Sequence, residues 1–135
     1  MELQQVPAEH IDRAWKDGAS CLSEACDASG GEIEGPQLKM MLSRGERTLL
    51  RMWDGEAVRG WGVVRVDQLP NMRVLFVTDL VAHNGGFQYF FEPVNRLARD
   101  RGCSKPGCAA GPAPERLYRS LCGFKPVYNI LEVDL

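Results

Sequence analysis

Two pairs of cysteines are the first residues whose type and spacing could do chemistry. Cys21 and Cys26 are separated by four residues, and so are Cys103 and Cys108. Four thiolates could bind zinc, but the cysteines of zinc sites are usually two residues apart. Cys21 and Cys26 also lie on a predicted helix, where five positions rotate the side chain by ~500°. The spacing therefore predicts no metal site and favours cysteines buried as small apolar residues.

A second candidate for chemistry is the junction between an apolar strand and a helix. Residues 73–81 are almost continuously apolar, which predicts a strand covered on both faces. His83-Asn84-Gly85-Gly86 ends that strand, and a helix is predicted from Phe87 to about Arg101. Ligands bind at the carboxyl ends of such strands. The junction therefore predicts a ligand site, with a plain flexible turn as the alternative for its glycine pair.

The elements that must position this junction follow from hydrophobic periodicity. They have the order β-α-α-β-β-β-α-(β)-α-β, which predicts a mixed-sheet α/β fold. The first helix has apolar residues spaced by three and four, and Pro36 suits the first turn of the second helix. Asp54-Gly55 is a strong hairpin signal between two strands. Strands are predicted over 3–6, 48–53, 57–67, 73–81 and 127–135. The last helix is predicted over 115–121.

Length and composition limit the classes of protein that remain. The 135 residues, 44% of them hydrophobic, fit one domain spanning 1–135 with a core of its own. The net charge of -2 excludes a nucleic-acid binder driven by bulk charge. There is no run of 18 apolar residues and no signal-peptide pattern, so neither a membrane span nor secretion is expected. Five cysteines, an odd number, then favour reduced thiols in the cytoplasm.

Two segments carry a resemblance to a known family. Trp53-Asp54-Gly55-Glu56-Ala57-Val58-Arg59-Gly60-Trp61-Gly62 looks like a hairpin with a glycine-containing return strand. Leu117-Tyr118-Arg119-Ser120-Leu121-Cys122-Gly123-Phe124 looks like a tyrosine-containing helix that ends in Gly-Phe. With the element order, these segments resemble the GNAT acyltransferase superfamily, whose members transfer an acetyl group from acetyl-CoA to an amine. The resemblance covers nearly the whole chain and implies a GNAT-like fold.

The resemblance also implies a cofactor site. Family members hold the CoA pyrophosphate on the backbone of a Gln/Arg-x-x-Gly-x-Gly/Ala loop that follows the central strand. The corresponding residues here are Val81, Asn84, Gly85, Gly86 and Phe87. Two glycines are present, but their spacing differs from the family pattern, and no Arg or Lys lies between Arg73 and Arg96.

Catalytic roles are implied for three residues. The family's general acid is a tyrosine, typically four residues before the Gly of Gly-Phe, whereas Tyr118 is five before Gly123. An extra residue at Cys122 in the helix cap would restore Tyr118 to the site; otherwise its ring is part of the core. Asp79 and His83 are the candidate general bases. The structural alternatives for Asp79 are an ion pair with an arginine or a cap on a loop. The structural alternative for His83 is a solvated loop residue.

Pro93 bears on the cofactor site, because proline inside a helix removes a hydrogen bond. We expect the helix after Gly86 either to be kinked or to begin between Phe90 and Pro93. A later start would move the positive end of the helix away from the glycine pair.

These differences from the GNAT pattern lead to two functional hypotheses. The first is a noncatalytic GNAT-fold protein that binds a protein partner or itself and needs no cofactor. The chain resembles small GNAT-like proteins encoded by bacteriophages. This resemblance implies a cytoplasmic location in the host cell and a structural role in a virion or in its assembly. The alternative is an acyl-CoA-dependent N-acyltransferase that uses acetyl-CoA, in which an amine attacks the thioester directly and Tyr118 is the acid.

Overall fold

A computed structural model describes residues 2–83 and 86–135 of the chain. Within these residues, five strands form one sheet in the order β1-β2-β3-β4-β5, antiparallel except for the parallel pair β4–β5. The mixed α/β architecture predicted from the sequence is confirmed. The strands are β1 (Glu2–Val6), β2 (Thr48–Trp53), β3 (Val58–Gln68), β4 (Arg73–Ala82) and β5 (Lys105–Cys108). The α-helices are α1 (Ile11–Lys16), α2 (Leu22–Asp27), α3 (Gly35–Ser43), α4 (Phe87–Asp100) and α5 (Pro112–Cys122).

The first predicted helix is broken into two, so that prediction was wrong in its continuity. Gly18 separates α1 from α2 with a φ of +135°, which a side chain rarely adopts. A Cβ at Gly18 would also lie 3.4 Å from Nε1 of Trp61. The chain therefore bends around the Trp61 ring, and both short helices keep their apolar side on the sheet.

Each face of the sheet has its own hydrophobic core. Helices α1, α2 and α3 cover one face, where Leu22, Leu38 and Trp61 are buried. Helix α4 covers the other face, where Phe90 and Val94 pack against strands β2 to β4. β3 and β4 thus lie between two apolar layers, as the nearly continuous apolar sequence of β4 predicts.

Helix α4 begins at Phe87 despite the proline inside it. Pro93 is buried, and its missing N–H leaves the Tyr89 carbonyl without its usual helical donor. The later start considered from the sequence is therefore wrong, and the positive end of α4 stays beside Gly86. Neither α4 nor any other helix in residues 2–83 and 86–135 has the length and apolarity needed to cross a membrane.

The strand expected over 127–135 does not form. Residues 125–135 have no regular secondary structure and are all exposed. Their alternation of apolar residues suits a strand, but a strand needs a neighbour to satisfy its backbone groups. Alternation alone does not supply that neighbour.

Candidate active site

A cavity of about 570 Å³ opens where β4 and β5 separate. The two strands pair only from Val74 with Lys105 to Val77 with Cys108, whereas β4 continues to Ala82. Side chains of α2 and of α4, from opposite faces of the sheet, both line the gap. The backbone of β4 beyond Val77 therefore borders the cavity on the side that β5 has left.

A β-bulge lies at the point where the strands separate. Val63 of β3 is opposite Asp79, but Val64 is opposite Val77, so Thr78 is an extra residue in β4. Bulges re-aim side chains and backbone groups and are common beside active sites. The bulge turns Asp79 toward the α2 side, where its carboxylate is buried.

The Asp79 carboxylate is the centre of a buried polar network. The Thr78 hydroxyl donates to its Oδ2 at 2.8 Å, and the Cys26 thiol lies 3.9 Å from its Oδ1. Nη1 of Arg47 lies 3.8 Å from Oδ2, and both side chains of this pair are largely buried. Of the structural alternatives considered from the sequence, the ion pair with an arginine is the one present.

Two buried polar atoms beside this network have no hydrogen-bond partner within the described chain. They are Nε of Arg47 and Oγ of Ser29, and both residues line the cavity. A buried donor without an acceptor is costly, so such atoms usually mark a place that a ligand or water fills. Arg47 and Ser29 form the polar end of the cavity, and no sequence pattern had singled them out.

Cys26 gives a testable consequence of this network. Burial, reinforced by the charge of Asp79, raises the pKa of the Cys26 thiol from 9.0 to about 11. The unfolded chain therefore releases this proton at lower pH than the folded one. We expect the contribution of this thiol to the free energy of unfolding to be constant up to about pH 9 and to fall between pH 9 and 11.

Urea unfolding at several pH values measures this effect. Cys26→Ala should reduce the alkaline loss, although Cys21, Cys108, Cys122 and Tyr118 also have raised pKa values. Cys122→Ala is the matched control, because burial alone raises that thiol pKa. Equal slopes for wild type and Cys26→Ala would contradict the assignment.

Tyr118 forms the opposite wall of the cavity. Its ring stacks on Phe87, the first residue of α4, with centroids 4.8 Å apart, and lies 5.9 Å from the Phe124 ring. Burial raises the pKa of the Tyr118 hydroxyl, so it stays protonated at neutral pH. The N–H groups of Gly123 and Phe124 both donate to the Tyr118 carbonyl. The bond from the Gly123 N–H spans five residues, so the last turn of α5 is wider than a regular α-helical turn.

The predicted pyrophosphate loop is described only in part, since Asn84 and Gly85 lie outside the described residues. Gly86 is the buried N-cap of α4, and a Cβ there would lie 3.0 Å from the His83 carbonyl oxygen. The His83 N–H donates to the Arg59 carbonyl at 2.8 Å. A basic residue of β3 therefore lies beside this loop, although the two are far apart in sequence. The Arg59 guanidinium is paired with Asp54.

The predicted site residues thus separate into two groups. Tyr118, Asp79 and Phe87 line the cavity. Val81 packs against the core on the α1–α3 side, and His83 is exposed and is not part of the cavity wall as described. In the described part of the chain, no three His, Cys, Asp or Glu side chains are arranged to hold a metal ion.

Comparison with solved structures identifies the fold. A ribosomal-protein-alanine N-acetyltransferase from Brucella melitensis biovar Abortus 2308 superimposes with a TM-score of 0.72 at 14% identity, covering 100% of both chains. A possible acetyltransferase from Clostridium difficile 630 gives 0.71 at 14% identity, covering 99% of this chain and 97% of that one. The chain has the GNAT fold. An aminoglycoside acetyltransferase from an uncultured soil metagenomic sample gives 0.70 at 12% identity, with 99% and 95% covered.

At the level of sequence, the chain has no match that identifies a family. No protein-family model matches the chain, and no curated protein matches it either. Because the identities are far below 25%, the GNAT neighbours show the fold and leave the chemistry to be argued from the cavity.

Proposed function

We propose that the protein is an acyl-CoA-dependent N-acyltransferase. The observation that carries this proposal is the cavity that the start of α4, Tyr118 and the bulged part of β4 line together. A proton donor and free strand backbone thus border one cavity beside a positive helix end. The GNAT neighbours named as acetyltransferases favour this hypothesis over the noncatalytic one.

The residues present fit acetyl-CoA. At the start of α4, the N–H groups of Gly86 and Tyr89 already have backbone acceptors, the carbonyls of His83 and Gly86. Among the described residues nothing accepts from the N–H of Phe87 or Gln88, and the helix dipole favours an anion there. Gly86 supports this fit, because a side chain at this helix start would press on the His83 carbonyl. The apolar walls from β5 and α5 suit the pantetheine arm. Acetyl-CoA supplies an acyl group activated as a thioester.

Backbone groups and side chains of this chain would then have separate roles in the transfer of the acyl group. Free N–H groups of β4 beyond Val77 polarise the thioester carbonyl, which favours attack by a neutral amine. Tyr118, protonated at neutral pH, donates a proton to the departing thiolate sulfur. Carbon–nitrogen bond formation thus accompanies carbon–sulfur bond cleavage, and Tyr118 regains its proton from water.

The acceptor amine is assigned to the α2 side of the cavity. Arg47 Nε and Ser29 Oγ, both without a partner in the described chain, would bind the acceptor's polar groups there. Both oxygens of Asp79 already have partners, so we assign Asp79 to holding Arg47 in place. The proton of the attacking amine then passes to water in the open cavity.

Thermal unfolding with acetyl-CoA tests the proposal. A ligand at a hundred times its Kd stabilises the fold by about 2.7 kcal/mol, which for a chain of this size raises Tm by roughly 5 to 10 °C. Pantetheine, which lacks the pyrophosphate, is the matched ligand and should give a much smaller shift. An unchanged Tm at millimolar acetyl-CoA would overturn the proposal and favour the noncatalytic hypothesis.

The noncatalytic hypothesis keeps one specific observation in its favour, the exposed apolar residues between 127 and 135. Contiguous exposed apolar side chains of this kind suit a protein contact. A catalytic protein can make the same contact, and neither the cavity nor the neighbours support a place in a virion.

A further inference from the structure

The segment 125–135 extends away from the body of the protein that precedes it. Phe124 anchors its start, with ring centroids 5.6 Å from Phe91 and 5.9 Å from Tyr118. Beyond Phe124, every residue is exposed, and within the described chain none hydrogen-bonds to another element. Six large apolar side chains lie at least 77% exposed, namely Val127, Tyr128, Ile130, Leu131, Val133 and Leu135. Monomeric proteins rarely leave so many contiguous apolar groups in water.

The sequence of this segment is that of an unpaired strand. The odd positions from Val127 to Leu135 share one side of an extended chain and are apolar except for Asn129. The other side has Tyr128 and Ile130 followed by the acidic Glu132 and Asp134. Pro126 is the last proline, so every later residue can donate a backbone hydrogen bond. The segment has the pattern and length of a strand and lacks a neighbour.

β5 has an open edge that could be this neighbour. Among the described strands it pairs with β4 alone and is the last in the sheet. Pro106 within it is tolerated because the strand lies at an edge. Lys105, exposed at its start, complements the acidic residues of the segment. The other open edge, β1, lies four strands away, at roughly 19 Å.

We propose that segment 127–135 adds as a strand to the β5 edge of a second copy of this chain. The segment leaves its own body near β5, because Phe124, just before the segment, and Cys108, at the end of β5, line the same cavity. A two-fold axis beside this edge therefore brings each segment to the partner's β5. When each copy places its segment on the β5 edge of the other, every contact between segment and edge occurs twice. No segment and no β5 edge is then left unpaired, so assembly stops at a dimer. The exchanged strand also covers the edge of β5, next to the cavity wall at Cys108.

Analytical ultracentrifugation of the full chain tests this. We expect a dimer at 10–100 µM, and a monomer for the double variant Leu131→Lys with Val133→Lys. Leu69→Lys is the matched control, since Leu69 is 45% exposed on a turn away from the segment, and it should remain dimeric. Hydrogen exchange should show slow amides at 127–133 in the wild type that become fast in the double variant.

Two results would overturn the proposal. A wild-type monomer with protected amides at 127–133 would mean that the segment folds onto its own β5 edge. A dimer that survives the double variant would place the interface elsewhere. Acetyl-CoA binding is a separate measurement, so the dimer proposal can fail while the proposed activity holds.

Discussion

Tyr118→Phe is expected to lower kcat for acetyl transfer by about 10² or more, the contribution typical of a positioned general acid. The variant loses only the hydroxyl that would protonate the departing thiolate. The ring still stacks on Phe87 and still lies beside Phe124, so folding and acetyl-CoA binding should be nearly unchanged. Steady-state kinetics with acetyl-CoA and a panel of amines measure kcat, and thermal unfolding with acetyl-CoA measures binding.

Tyr128→Phe is the control for this experiment, because Tyr128 is 77% exposed and lies outside the cavity. It should keep wild-type kcat. An active Tyr118→Phe enzyme would show that water protonates the thiolate and that Tyr118 serves only to pack against α4. A Tyr118→Phe protein with lowered Tm would instead indicate a structural role for the hydroxyl.

Gly60→Val should have the largest effect on stability, a loss of about 3 kcal/mol or more. A Cβ at Gly60 would contact Cε of Met52 and would lie 2.5 Å from the Val81 carbonyl oxygen, which is strand backbone and cannot rotate away. Gly60 is opposite Ala82, the last residue of β4. The strain would therefore reach the loop before α4, so that acetyl-CoA binding should weaken as well.

Urea unfolding of Gly60→Val and of a control glycine separates crowding from the general effect of replacing glycine. Gly111→Ala is that control, because its φ is -70° and a Cβ there meets nothing within 4 Å. It should cost no more than about 1 kcal/mol, because Gly111 is the N-cap of α5 and a helix N-cap prefers glycine to alanine. A Gly60→Val protein as stable as the wild type would show that β3 and β4 can move apart at this point to accommodate the side chain.

Tyr118 illustrates how far local sequence carries a site prediction. The offset of one residue from the GNAT pattern left two orientations open, since one residue rotates a helical side chain by ~100°. In the structure the Tyr118 ring stacks on Phe87 and lines the cavity, which is a contact between elements and is not encoded in the local spacing. The start of α4 is a similar case, because a proline inside a helix permits either a kink or a later start, and packing of Phe90 and Val94 favoured the full helix.

The sequence by itself determined the strands β2, β3 and β4, the hairpin at Asp54-Gly55, the helix α3 and the mixed α/β class. These follow from residue periodicity and turn chemistry, which act between neighbours in the chain. Only the tertiary structure decided the break at Gly18, the pairing of Asp79 with Arg47, and the unpaired state of segment 125–135. Each of these depends on groups distant in sequence: the Trp61 ring beside Gly18, a buried guanidinium 32 positions before Asp79, and a strand edge available to residues 127–135. Local propensity carries no information about such partners, because burial and hydrogen bonding are properties of the folded chain.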